Sequence, residues 1–132
     1  MVVTLPGLHS GTIELRPQDN ARATLAPILK KEDGRIDFQH SAQQIYDRLR
    51  GFQPWPGAFT NFRGKGLQIR AARPVDRPVS QGALAIDTGR LFVGCGENTA
   101  LELLELQPEG KKRMLSHDFI QGYRPQSQEG LR

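Results

Sequence analysis

Cysteine is nearly absent from this 132-residue chain: Cys95 stands alone, so no internal disulfide can form and no multi-cysteine zinc site can be assembled. The three histidines, His9, His40 and His117, are far apart and share no ligand spacing with one another or with Cys95, so no metal is expected. No apolar run approaches the roughly 20 residues of a bilayer span, which speaks against membrane insertion. The opening Met1-Val2-Val3-Thr4-Leu5-Pro6 lacks the basic and apolar regions of a secretory signal, so the expected location is the cytoplasm. Gly94-Cys95-Gly96 lacks the third glycine and following helix of a dinucleotide fingerprint, and Gly64-Lys65-Gly66 lacks the spacing of a phosphate-binding loop. Nor does the chain show a constellation for acid–base chemistry. Glu32-Asp33 and Glu102/Glu105 sit in no apolar pocket that could separate their pKa values, and read as surface or turn residues. A Cys95–His117 nucleophile pair is conceivable, but a small buried thiol at a strand end is the plainer reading.

What is present is the composition of one globular domain, 37% hydrophobic and 24% charged, able to bury an ordinary core without a metal or disulfides. Lysine and arginine number 18 against 14 acidic residues, a net +4. Most of the excess is clustered. Arg63, Lys65, Arg70, Arg73 and Arg77 face only Asp76 in sequence, and Lys111-Lys112-Arg113 follows. On one side of a fold these would attract phosphates; scattered, they would be solvated charges without a ligand.

Val2, Val3, Leu5 and Leu8 make a short helical stripe, with Pro6 tolerated only in a first turn, and Glu14 to Glu32 reads as an extended connector broken by Pro17 and Pro27. Arg35-Ile36-Asp37-Phe38 alternates like a short strand. Ser41 and Gln44 have the spacing of a capping box, so a helix is expected from about Ala42 to Arg50, ended by αL capping at Gly51 and by Pro54. Trp55, between prolines, reads as a core plug, with base stacking the alternative. Strands are expected at Ala58–Phe62 and Leu67–Ala71 around Arg63-Gly64-Lys65-Gly66, at Gly82–Ile86 and Arg90–Val93 around Asp87-Thr88-Gly89, and at Leu101–Leu106. Five strands at this spacing predict a mainly β fold: a small oligonucleotide-binding-like barrel, with one preceding helix and short terminal helices. Ser116-His117-Asp118-Phe119-Ile120 can cap and start the last of these, with Gly122 ending it and Pro125 to Arg132 forming a polar, flexible tail.

Three stretches add a resemblance: Ala26-Pro27 with Lys31-Glu32-Asp33-Gly34-Arg35-Ile36-Asp37, then Pro54-Trp55-Pro56-Gly57-Ala58, then Leu103-Leu104-Glu105-Leu106-Gln107-Pro108-Glu109-Gly110-Lys111-Lys112-Arg113-Met114. In order and spacing they resemble the carboxy-terminal part of the methionyl-tRNA formyltransferase family, over about Arg16 to Gly122. Thr4-Leu5 through Gly11-Thr12 is similar to the final helix of that family's catalytic domain. The resemblance implies residues 1–15 as a remnant of that helix, 16–33 as a linker, 34–124 as a formyltransferase C-terminal barrel and 125–132 as the tail. It implies a parent enzyme that formylates initiator methionyl-tRNA from 10-formyltetrahydrofolate in translation initiation. The cofactor and the chemistry would belong to an amino-terminal formyltransferase domain, leaving this chain without a cofactor or catalytic residues of its own. Its expected role is to hold initiator tRNA by phosphate contacts from Lys30, Lys31, Arg63, Lys65, Arg70, Lys111, Lys112 and Arg113. Compared with the family, Ile28 replaces a frequent lysine, Gly66 and Gln68 replace basic residues, and Phe38 replaces a frequent tryptophan. The competing expectation is the same domain serving, as a structural module, a formyltransferase that acts on a small non-RNA substrate. A third, an independent enzyme using Cys95, predicts activity lost on thiol alkylation.

Overall fold

The computed structural model describes residues 3–132, so Val2 of the expected amino-terminal stripe lies outside the described residues. Helix α1 (Thr4–His9) keeps Pro6 in its first turn and buries no side chain. Residues 10–30 contribute a single 3₁₀ turn at Asn20–Arg22 and are exposed throughout.

Ordered packing begins at the 3₁₀ turn Lys31–Gly34, where a Cβ on Gly34 would collide with the Gly57 carbonyl oxygen. That close approach ties the turn to the start of the sheet. Arg35–Phe38 is not the expected strand. It makes one isolated parallel bridge, Arg35 to Phe59, and is then bent by the Asp37 carboxylate, which accepts the Gln39 N–H at 2.9 Å. Helix α2 (Ala42–Gly51) starts as expected: Ser41 N–H donates to Gln44 Oε1 at 3.0 Å and Ser41 Oγ accepts the Gln44 N–H. Its buried face is Ala42, Ile45 and Leu49. Its end differs from expectation. Gly51 stays helical, and Phe52 caps the helix at φ −93°, with the turn through Pro54 blocking continuation. Trp55 in that turn is 56% exposed and plugs no core.

Strands β1 (Ala58–Phe62), β2 (Lys65–Val75), β3 (Leu84–Asp87), β4 (Arg90–Gly94), β5 (Ala100–Pro108) and β6 (Met114–Leu115) form one antiparallel sheet in the order β1-β2-β5-β4-β3, with β6 beside β5. The β1–β2 and β3–β4 hairpins each turn on two residues with positive φ, Arg63-Gly64 and Thr88-Gly89, the geometry that matches strand twist. Lys65 and Gly66, expected in the loop, are therefore strand residues, with Lys65 opposite Phe62. Alternate residues Ala58, Thr60 and Phe62 of β1 and Leu67 and Ile69 of β2 point inward. Register shifts between Ile69 and Ala72 then change the phase of β2. The core joins these to Leu91, Val93, Leu101, Leu103, Leu106 and Phe38. Helix α3 (Ser116–Tyr123) closes one end, with Phe119 set edge-on to Phe62 and stacked on Tyr123. It starts from Leu115 without a side-chain cap, and it runs through Gly122 to a left-handed Arg124.

A closed barrel is not what the sheet forms, because the short edge strands β1 and β3 share no ladder. Residues 125–132, expected to form a polar flexible tail, lie between those edges. Leu84 N–H donates to Glu129 O and Leu131 N–H to Gly82 O on the β3 side, while Asn61 and Arg132 exchange backbone hydrogen bonds on the β1 side. Leu131 is buried in the core. The chain end thus satisfies edge groups that would otherwise be open to solvent.

Candidate nucleic-acid interface

The β5–β6 loop folds back on the first hairpin. Glu109 N–H donates to Gly66 O at 2.9 Å, Gly66 N–H donates to Glu109 Oε2 at 3.2 Å, and Gln107 Nε2 donates to the Lys111 carbonyl at 3.1 Å. Gly110 makes the reversal at φ 70°, a conformation open to glycine. Sequence-distant lysines thereby meet. Lys65 and Lys111 line one cleft of about 290 Å³, with Tyr123 on its wall. A second groove of about 480 Å³ shares Gly66, Leu67, Pro108 and Glu109 with it and has Lys31 on its rim. Lys30 and Lys112 are the exposed chain neighbours of Lys31 and Lys111. Among the described residues none of these lysines has a carboxylate within 4.0 Å.

The arginines of the expected site are arranged differently. Arg63 Nε and Nη2 reach the Glu129 carboxylate at 2.6 and 3.0 Å, and Nη1 reaches the Tyr123 carbonyl at 3.1 Å, with the guanidinium over the Phe62 ring. The hydrogen bond from Arg63 holds the Glu129 carboxyl below its ordinary range, and Glu129 in turn raises Arg63. Arg63 thus fastens the chain end to the first hairpin. Arg70 donates twice to Gln107 Oε1, at 3.0 and 2.7 Å, and Arg113 pairs with Glu105 at 3.2 Å. The eight expected contact residues therefore divide into lysines without an ion-pair partner and arginines engaged by neighbours.

One cluster escaped the sequence reading. Glu102, expected at the surface, is 4% exposed and lies between Arg73 and Arg90. Arg90 bonds it twice at 2.7 Å, and Arg73 Nε bonds Oε2. The Arg90 hydrogen bonds, reinforced by Arg73 and opposed by burial, bring the Glu102 carboxyl down to about 2. Arg77 and Arg90 both lie over the Phe92 ring, and Arg77 pairs with Asp87 at 2.8 Å. Nothing local in the sequence marks Glu102, whose partners are 29 and 12 residues away.

Burial pushes the Cys95 thiol up to about 11, and its Sγ points at the Val93 carbonyl. His117 is exposed beside Asp118, so no thiol–imidazole pair forms. The Asp33 carboxylate accepts the Lys30 N–H at 2.7 Å and serves the local turn. Among the described residues no group of three or more His, Cys, Asp or Glu could hold a metal ion, and no helix is long and apolar enough to cross a membrane.

The open antiparallel sheet packs against α2 and α3 and carries these lysines on its first hairpin, on the β5–β6 loop and on the Lys31–Gly34 turn. The chain belongs to the family described as formyl transferase, C-terminal domain, which matches residues 28–124. Within that class it is similar to methionyl-tRNA formyltransferases. It is 60% identical over 131 residues to that of Koribacter versatilis, covering 99% of this chain and 42% of the relative. It is 52% identical to that of Acidobacterium capsulatum over 92% of this chain and 40% of the relative. The chain thus spans about two fifths of the length of the curated relatives it matches. Among solved structures, HypX from Aquifex aeolicus in complex with tetrahydrofolic acid shares the fold, with a TM-score of 0.55 at 17% identity over 88% of this chain and 21% of that one.

Proposed function

We propose that this chain is the tRNA-binding C-terminal domain of a methionyl-tRNA formyltransferase acting in the cytoplasm in translation initiation. Formyl transfer from 10-formyltetrahydrofolate would take place in an amino-terminal domain. The observation that carries the reading is the rim of Lys31, Lys65 and Lys111 on two adjoining grooves, continued by Lys30 and Lys112 and without acidic partners among the described residues. Ammonium groups on such a rim neutralise phosphates and fix the orientation of a folded RNA without reading its sequence. The RNA's acceptor end is then delivered to a neighbouring active site, and holding it there lowers the entropic cost of reaction. The engaged arginines set the shape of this surface; the lysines supply its attraction.

The domain division proposed with this reading takes residues 1–15 as the end of the amino-terminal domain's last helix and 16–33 as the linker to this domain. Val3, Leu5, Leu15, Leu25 and Ile28 are 63–96% exposed, far more apolar surface than a connector leaves bare unless something covers it. The test is titration of the chain with initiator tRNA at rising salt. The expected Kd is about 10⁻⁴–10⁻⁶ M near physiological salt, weakening linearly in log–log form with a slope of about −3 to −4 if most of the rim engages. No binding at low salt would overturn the reading and return the small-substrate alternative.

A further inference from the structure

The two grooves differ in chemistry. Glu109 lines both: in the cleft it stands against Lys65 and Lys111, which leaves that side cationic, whereas in the larger groove it stands against Lys31 alone. Its wall is instead aromatic and amide-bearing. Phe59, Gln68 and Gln107 lie opposite one another across β1, β2 and β5, and Asn61 faces Gly66 in the next row. Gln107 is committed on both sides of its amide, accepting from Arg70 and donating to Lys111 O. The side-chain amides of Asn61 and Gln68 make no hydrogen bond among the described residues. Gly66 carries no side chain, and the Glu109 side chain lies over it, 3.6–3.9 Å from where a Cβ would stand; beside it a groove of about 480 Å³ stays open, within the size range of small-ligand sites.

A phosphate gains little in a groove whose charges cancel. A nucleobase fits it: neutral and planar, with a face that can lie on the half-buried Phe59 ring and edges that match amide donors and acceptors. We propose that this groove receives one unstacked base of the bound RNA, with Asn61 and Gln68 meeting its edge and the flanking phosphates on Lys65 and Lys111. This rests on the RNA-binding reading and adds to it a base contact, which phosphate binding alone does not provide. Gln107 links the two subsites, since the same amide that holds Arg70 beside the groove holds the Lys111 loop beside the cleft.

The experiment compares the whole 132-residue chain with two double variants, Asn61→Ala/Gln68→Ala and Lys65→Ala/Lys111→Ala. Initiator tRNA is titrated at several salt concentrations, and dimethyl sulfate modification maps which bases are shielded. Trp55, the sole tryptophan and neighbour of the groove residue Pro56, reports binding by its fluorescence. The amide variant is expected to lose about tenfold in affinity with an unchanged salt slope and to lose protection of a discrete unpaired base. The lysine variant is expected to lower the slope by about 2. If the amide variant, folded by circular dichroism, binds and protects like wild type while the lysine variant is impaired, the base site is refuted and the phosphate reading stands. If the unaltered chain binds no tRNA, the RNA reading falls and the base site with it.

Discussion

Glu102→Gln separates the part of the arginine-rich face that stabilises the sheet from the part available to a ligand. The carboxylate is buried, and its pKa is lowered from the ordinary 4.5 to about 2 by Arg90 and Arg73. At 1.36 kcal/mol per unit this corresponds to at most about 3 kcal/mol of folding energy, an upper bound because water screens the half-exposed Arg73 and Arg90. Because the folded pKa lies below the unfolded one, that contribution is complete at neutral pH. It is lost as pH falls from about 4.5 towards about 2. Arg73 and Arg90 are 56% and 47% exposed at the side chain, so water can solvate both when their partner is neutral, and the loss stays close to that of the pair. Urea unfolding of wild type and variant should give a difference of about 2–3 kcal/mol at pH 7 that shrinks below about 1 kcal/mol at pH 2. Taking the difference cancels carboxylates common to both proteins, including Glu129. A difference under about 1 kcal/mol at pH 7, or one of equal size at both pH values, refutes the assignment. The variant also carries one more net positive charge, so on the proposed reading its tRNA binding should not weaken at matched folded fraction; weakening would mean that the Glu102 cluster shapes the proposed RNA surface directly.

Three further outcomes are expected. Lys111→Ala with Lys112→Ala should lower the tRNA salt slope by about 2 and leave the circular dichroism spectrum unchanged, which salt-dependent anisotropy checks. Cys95, buried and shifted to about 11, should resist a thiol-disulfide reagent at neutral pH in the folded chain and react only as fast as the protein opens. Removing residues 128–132 takes Leu131 out of the core and leaves backbone groups of Asn61, Gly82 and Leu84 unpaired. That loss is expected to cost on the order of 5 kcal/mol and to raise aggregation through the freed strand edges, measurable by denaturation and light scattering.

Elements built from neighbouring residues were legible in the chain itself. The Ser41/Gln44 spacing marks the start of α2, because both members of a capping box lie within one turn. The glycines after Arg63 and Thr88 mark both hairpins, since only a few residue types take positive φ readily. The family is legible for the same reason, carried by contiguous runs such as Leu103 to Met114. The boundaries that failed involve tertiary choices: Arg35–Phe38 is drawn into one bridge and a turn instead of a ladder, and α3 runs past Gly122 because Arg124 takes the left-handed position.

The amino-acid order by itself determined the helices, the hairpins, the family and which residues are cationic, because each is encoded within a few neighbouring positions. Only the tertiary structure decided which cations remain available. Arg63 is engaged by Glu129 from 66 residues away, and Glu102 is drawn under Arg73 and Arg90 by strand register. Lys65 and Lys111 meet because a loop between β5 and β6 folds onto a hairpin formed much earlier in the chain, and Lys31 reaches the adjoining groove because Gly34 packs on Gly57. Such pairings depend on which strands become neighbours, and that follows from burying one common core rather than from any local pattern.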